Sequence, residues 1–260
     1  MEYKAHTLLS VPGKILESCI SDTVLKHVTE CELLTERQWA FREGHSTQLL
    51  LDQLTESLRQ DVDNNFVVIA AFIDFRKAFD WVSHRTLLHK LKIKFGIEGN
   101  LLSWLTDYLN STQLEELNVS CGIRQGSVLG PCLFSLYTND MPEAVASGNL
   151  YLYADDTTVY CIGSTVDEAC NILNNALDEL NKSCVTNSLT SHSSKCEVML
   201  LHRGSFIRPH PTIGNASVAW VCHARLLGIT IDRKLTWKKH VTKLKNNFVC
   251  KLNLLKKCPF

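Results

Sequence analysis

The strongest constraint on the fold is an eight-residue apolar run, Phe66-Val67-Val68-Ile69-Ala70-Ala71-Phe72-Ile73, that stops abruptly at Asp74. It is too short for a typical helix and rich in β-branched residues, so it predicts a strand buried on both faces. A carboxylate at the end of such a strand needs a partner, because desolvation otherwise raises its pKa and removes its charge. A second stretch supplies one. Leu150-Tyr151-Leu152-Tyr153-Ala154-Asp155-Asp156-Thr157-Thr158-Val159-Tyr160 flanks a small-acidic-acidic centre with aromatic and β-branched residues. That pattern predicts a tight β-hairpin with Ala154-Asp155-Asp156 at its turn. Paired aspartates at a turn are ordinarily solvated, since Asp caps turns well. Beside a second acidic strand end they become candidates to share a hard cation with Asp74.

Around these two stretches the chain reads as helices and short strands. Helical periodicity runs from about Lys14 to His27 after the Pro12-Gly13 break, with Ile15, Leu16, Cys19, Ile20, Val24 and Leu25 near one face. Ser46 or Thr47 can cap a helix to about Gln60, followed by a polar turn over 61–65. Ser83 can cap a helix to about Phe95, stopped by Gly96, and Asn100 to Leu109 reads as another. A glycine-punctuated loop, Gly122 to Pro131, leads into an apolar helix from Cys132 to about Asn139. Thr165-Val166-Asp167-Glu168 is a capping box, opening a helix with an apolar stripe through Leu180. Cys196 to His202 reads as a strand, and Val218 to Ile231, broken near His223, as a second hairpin. Thr236 then caps a basic helix with Val241, Leu244, Phe248 and Leu252 on its apolar side. This order predicts an α+β domain with a largely antiparallel sheet.

Formal charge balances, with 27 basic and 27 acidic residues, so no global signature for nucleic acid exists. The distribution is uneven: from Arg233 to Lys257 every charged residue is basic, leaving the rest of the chain net acidic. Eleven cysteines, an odd number without a Cys-x-x-Cys pair, indicate neither a zinc site nor a disulfide framework. Reduced thiols in an intracellular compartment, nucleus and cytoplasm, are the expectation. The polar N-terminus lacks a signal-peptide core, and no apolar run reaches membrane-spanning length.

Phe72-Ile73-Asp74-Phe75-Arg76-Lys77-Ala78-Phe79-Asp80-Trp81, continuing to Leu91, resembles the first catalytic motif of reverse transcriptases from non-LTR, LINE-type retrotransposons of the jockey-like branch. Gly122-Ile123-Arg124-Gln125-Gly126-Ser127-Val128-Leu129-Gly130-Pro131 resembles their second motif, and Tyr153-Ala154-Asp155-Asp156 is the hallmark tetrapeptide of the third. Leu227-Gly228-Ile229-Thr230-Ile231-Asp232 resembles the primer-gripping hairpin, and Gln38 to Thr47 the fingers motif. Two runs depart from the family. Ala40-Phe41-Arg42-Glu43-Gly44 stands where members carry a Gly-Phe-Arg-Pro-Gly-like run. His192-Ser193-Ser194-Lys195-Cys196 stands in place of Asn-Pro-x-Lys-Thr.

The resemblance implies a right-hand polymerase palm, a largely antiparallel sheet packed on helices, with partial fingers and only the start of a thumb. Residues 1–65 would be fingers, 66–232 palm with interleaved fingers segments and primer grip, and 233–260 thumb. The chain is thus expected to be truncated, without an upstream endonuclease. By resemblance, Asp74, Asp155 and Asp156 would hold two Mg²⁺ ions, with Mn²⁺ as the alternative. Lys195 would be the general acid for departing pyrophosphate. Phe79 would gate the sugar, Gln125 and the Gly126 backbone would shape the nucleotide pocket, and Arg42 would reach the triphosphate. Lys238, Lys239, Lys243 and Lys245 would follow the duplex backbone. The implied partners are an RNA template, a DNA primer and deoxynucleoside triphosphates, with no membrane. Two rival readings stand beside this one: a catalytically inactive remnant that binds nucleic acid or only folds, and a two-metal nuclease.

Overall fold

The computed structural model describes residues 10–110, 121–124, 126–201, 211–213 and 216–255. The described chain runs α1 (Val11–Glu30), α2 (Thr47–Asp63), β1 (Val67–Ile73), α3 (His84–Ile93), α4 (Gly99–Asn110), α5 (Gly130–Thr138) and the short α6 (Met141–Ala144). It continues with β2 (Asn149–Tyr153), β3 (Asp156–Gly163), α7 (Val166–Thr186), β4 (Glu197–Leu201), β5 (Thr212–Ile213) and β6 (Ala216–Ser217). Last come β7 (Ala219–Trp220), β8 (His223–Leu226), β9 (Ile229–Asp232) and α8 (Lys238–Leu255).

Five strands form the main sheet in the order β2-β3-β1-β4-β7. The apolar run is its centre: β1 pairs antiparallel with β3 on one side and β4 on the other, and all seven of its residues are buried. Alternation divides β1 between two cores. Ile69, Ala71 and Ile73 face α3, α5 and α7, together with Val159, Cys161, Val198 and Leu200. Val68, Ala70 and Phe72 face the other way, against Leu50, Leu54 and Leu58 of α2 and Ala224, Leu226 and Ile231 of the β8–β9 hairpin. Burial on both faces is why the sequence could dispense with polar alternation.

The α+β architecture expected from sequence is present, with three local corrections. Pro12 lies inside the first turn of α1, where its missing N–H costs nothing, and Ser10 caps the helix instead. The buried face of α1 is Glu17, Ser21, Val24 and Val28, while Ile15 and Leu16 are exposed. The predicted second hairpin covers only β8 and β9. Ala219 and Trp220 peel off to join β4 as a parallel edge strand, so the sheet is antiparallel in every pairing but one. At the start of α8, Thr236 Oγ accepts from the Lys238 N–H at 3.5 Å, and Asp232 holds the turn that leads into the helix. Its carboxylate accepts from the N–H groups of Thr236 and Trp237 and from the Thr236 hydroxyl.

Candidate active site

Register places the acidic residues. Ile73 of β1 pairs with Thr157 of β3, so the next step of the ladder sets Asp74 across from Asp156, at the sheet end where β2 turns into β3. Tyr153 pairs with Asp156, which leaves Ala154 and Asp155 as a two-residue hairpin loop. Ala154 has φ 56° and Asp155 is not left-handed, the pattern of a type II′ turn with alanine where glycine is usual. Strain at that alanine is held by its surroundings. Ala154 is buried, and its N–H points to the Gln38 side-chain oxygen at 3.4 Å. Gln38 is itself fully buried. It also accepts from the Ala40 N–H and donates to the Thr138 hydroxyl, while Trp39 and Arg37 exchange main-chain bonds with Leu152. The segment around Gln38 therefore flanks β2 and braces the turn that carries Asp155.

Lys195 reaches the same end of the sheet. Its Nζ lies 3.5 Å from Asp74 Oδ2, with both side chains substantially exposed. The His192 N–H donates to the Asp74 carbonyl at 2.7 Å and the Arg76 N–H to the Thr190 carbonyl at 2.9 Å, so the 190–195 segment is zipped to the end of β1. The structure thus gathers Asp74, Asp155, Asp156 and Lys195. Asp155 and Asp156 are exposed. Crowding by protein, then the charges of Asp155 and Asp74, push the Asp156 carboxyl above the usual range, and Arg225 of β8 opposes them. Mutual repulsion of this kind is what a divalent cation relieves. Among the described residues no group of three acidic, histidine or cysteine side chains is close enough to hold a metal. Mg²⁺ does not require one, since it binds through one or two carboxylates and fills the remaining positions with water and phosphate.

The two loops expected to receive the nucleotide are in contact. Phe79 lies in a 3₁₀ turn after β1 and stacks on Phe134 of α5, ring centroids 4.4 Å apart and planes at 20°. Its carbonyl accepts from the Ile123 N–H at 2.8 Å, and the Val82 carbonyl accepts from Gly122. Gly126 has φ 87°, a conformation that suits only glycine at low cost, and is exposed. Gln125 lies outside the described residues. Arg42 is turned into its own loop, donating to the carbonyls of Thr35 at 2.7 Å and Gln38 at 3.2 Å. In this arrangement its guanidinium is engaged at home and does not join the acidic cluster. Ala40, the departure next to it, is fully buried.

Lys238, Lys239, Lys243 and Lys245 are exposed on α8. Lys239 and Lys243, with His223, Arg225, Asn246 and Asn247, line a cleft of about 730 Å³ between α8 and the β8–β9 hairpin. Arg225 connects this basic cleft to Asp156. The apolar side of α8 is open, with Val241, Leu244 and Phe248 all more than half exposed.

Two residues that hold the site were not legible. Gln38 reads from sequence only as the start of the fingers-motif segment, and Glu17 falls outside the apolar face expected of α1. Glu17 is 3% exposed, with Oε2 accepting from the Ser127 hydroxyl at 2.8 Å, the Val128 N–H at 2.8 Å and the Leu129 N–H at 3.2 Å. The one local trace is that Glu17 and Ser21 fall at helical spacing with Val24 and Val28, the face that is buried.

A carboxylate-bearing hairpin beside a central strand ending in aspartate, on a sheet packed against helices, is the palm of a right-hand polymerase. The fold is shared with a solved telomerase from Candida tropicalis, at a TM-score of 0.55 and 13% identity over 87% of this chain and 45% of that one. Residues 2–231 match the reverse transcriptase (RNA-dependent DNA polymerase) family, and the chain belongs to it. It is 29% identical over 97% of its length to the RNA-directed DNA polymerase from mobile element jockey of Drosophila funebris. It is 27% identical over 96% to the jockey polymerase of Drosophila melanogaster. The chain spans about 30% of the length of these relatives.

Proposed function

We propose that this chain is the catalytic unit of a LINE-type RNA-directed DNA polymerase, adding deoxynucleotides to a primer 3′-hydroxyl on an RNA template. The observation that supports it best is the meeting of Asp74 with the Asp155-Asp156 turn at one open end of a buried sheet, with Lys195 alongside. Asp74 and Asp155, with Asp156 beside them, would hold two Mg²⁺ ions, Mn²⁺ being the alternative. Bound there, such ions supply phosphate charge neutralisation and a more acidic attacking hydroxyl. Lys195 is suited to give a proton to the departing pyrophosphate oxygen. Phe79 lies under the sugar, and Gln125 and the Gly126 backbone line the nucleotide pocket; for Arg42 to reach the triphosphate its guanidinium would have to leave the Thr35 and Gln38 carbonyls. The α8 lysines follow the phosphates of the primer–template duplex. In domain terms, residues 1–65 act as fingers, 66–232 as palm and 233–260 as the thumb's first element.

The ten described cysteines are unpaired, which supports work in a reducing compartment, nucleus or cytoplasm. No helix among the described residues is long and apolar enough to cross a membrane.

The test is single-nucleotide addition by this chain on a primed RNA template with Mg²⁺, run beside a cleavage assay. Template-directed incorporation that stops on chelation is expected. Duplex binding without incorporation would leave a nucleic-acid-binding remnant, and strand cleavage would make the site a nuclease.

A further inference from the structure

We propose that Glu17 is a positioning residue for the nucleotide loop, its carboxylate fixing Gly126–Leu129 in the form that receives the incoming deoxynucleotide. The proposal rests on the polymerase reading and extends it to a residue more than a hundred positions from the loop. Glu17 comes from α1, yet it is buried against the start of α5 and accepts three hydrogen bonds there. Ser127 has one hydroxyl proton, and it goes to Glu17. Ser127 Oγ then accepts from the Gly130 N–H at 2.8 Å and from the Tyr108 hydroxyl at 2.8 Å.

Val128 and Leu129 lead into α5, whose first N–H, that of Gly130, goes to the Ser127 hydroxyl; Glu17 takes the two N–H groups just before it and the Ser127 proton, and an acidic side chain at this end also suits the helix dipole. The consequence is a loop pinned at both ends. Ile123 is tied to the Phe79 carbonyl, and Ser127 to Leu129 are tied to Glu17, with exposed Gly126 between. Glu17 therefore sets the placement of the Gly126 backbone relative to the ring proposed to lie under the sugar.

Glu17→Ala, Glu17→Met, Glu17→Gln and wild type should be compared for dNTP KM, kcat and primer–template affinity in single-nucleotide addition, with melting temperature measured for each. Glu17→Ala should raise the dNTP KM about tenfold, the loss expected when charge-assisted hydrogen bonds of a positioning group disappear. Glu17→Gln keeps the shape and one acceptor oxygen, which is all that the three bonds to Oε2 use, so it should recover most of that loss. Primer–template affinity and kcat should stay within about twofold, since losing a nucleotide-positioning contact made equally in the ground and transition states raises KM and leaves kcat. If Glu17→Ala does not fold, Glu17→Met, which keeps the bulk without an oxygen acceptor, decides: a folded Met variant with a raised dNTP KM supports the proposal. A folded Ala or Met variant with an unchanged KM, or failure of both to fold, assigns Glu17 to the fold alone and overturns it. No incorporation and no dNTP binding by wild type would overturn the polymerase reading, and this inference with it.

Discussion

Asp74 Oδ2 lies 3.5 Å from Lys195 Nζ, and main-chain bonds from His192 and Arg76 hold the two segments together independently of that ion pair. The pair is exposed, so its own contribution is small, about 0.2–1 kcal/mol. Lys195 is thus in place as a removable counter-ion for the carboxylate expected to bind metal. Lys195→Ala should tighten apparent Mg²⁺ affinity a few-fold, about what such a pair is worth, by freeing Asp74. If Lys195 is also the proton donor, kcat should fall by about 10²-fold or more. Titrating Mg²⁺ in single-nucleotide addition separates the two roles, because a pure counter-ion shifts the midpoint and leaves the plateau where it was.

Asp155 occupies a solvent-exposed turn position that asparagine fills equally well. Asp155→Asn should therefore melt within about 2 °C of wild type and lose nucleotide incorporation. Circular dichroism and primer extension check the two halves. Near-normal extension would remove Asp155 from the metal site.

Asp156 has a raised pKa in the folded chain, so the fold favours its protonated form. Its ionisation costs stability, and the cost develops as pH rises from the ordinary carboxylate value through the raised one. In metal-free buffer near neutral pH, Asp156→Asn should raise the melting temperature by about 1–2 °C after allowance for solvent screening. The gain should vanish in acid, where wild type is protonated in both states. Mg²⁺ should reverse the order, stabilising wild type more than the variant. A thermal scan over pH with and without Mg²⁺ measures all three, and a variant less stable than wild type in metal-free buffer at neutral pH would contradict the repulsion.

What the sequence disclosed of this molecule was what local pattern encodes. β1 announced itself because burial on both faces writes an unbroken apolar run, and the β2–β3 hairpin because its strands are aromatic and its turn acidic. Helices α2, α3 and α7 were legible from Ser46, Ser83 and Thr165, each of which accepts a backbone N–H at its helix start. The rest depended on partners remote in sequence. Glu17 is buried because Ser127, Val128 and Leu129 bond to it, and nothing near residue 17 says so. Gln38 is buried for the sake of Ala154 and Thr138. A two-residue parallel edge strand such as β7 is too short to leave a periodic trace. Lys195 could be placed near Asp74 only by resemblance, and its proximity comes from a backbone zipper, Phe75 to Ser191, that no local pattern records.

Phe79 has two candidate duties, core packing and sugar gating. Its ring is only partly buried, with Phe134 stacked beneath it at 4.4 Å. A stacked ring is stiff, and α5 supports it from below, so its exposed side offers a rigid surface five residues beyond Asp74. A sugar resting there would bring its 2′ position against the ring, and a 2′-hydroxyl would lose transition-state stabilisation through overlap. Discrimination of that kind is a ratio of kcat/KM values, tenfold for each roughly 1.4 kcal/mol. Phe79→Val removes the flat surface and should raise ribonucleotide use relative to deoxynucleotide use at least about tenfold. It also forfeits the stack on Phe134, so the melting temperature should fall, with about 1–4 kcal/mol as the range for a large-to-small change at a packed site. Stability loss alone does not decide the question, because core and gate residues both produce it. The sugar ratio decides, and Phe79→Leu provides the control: it keeps most of the apolar contact with Phe134 and loses the planar face. If Phe79→Leu melts near wild type and still admits ribonucleotides, the ring is the gate. If both variants lose stability in proportion to the contact removed and keep the wild-type sugar ratio, Phe79 belongs to the core.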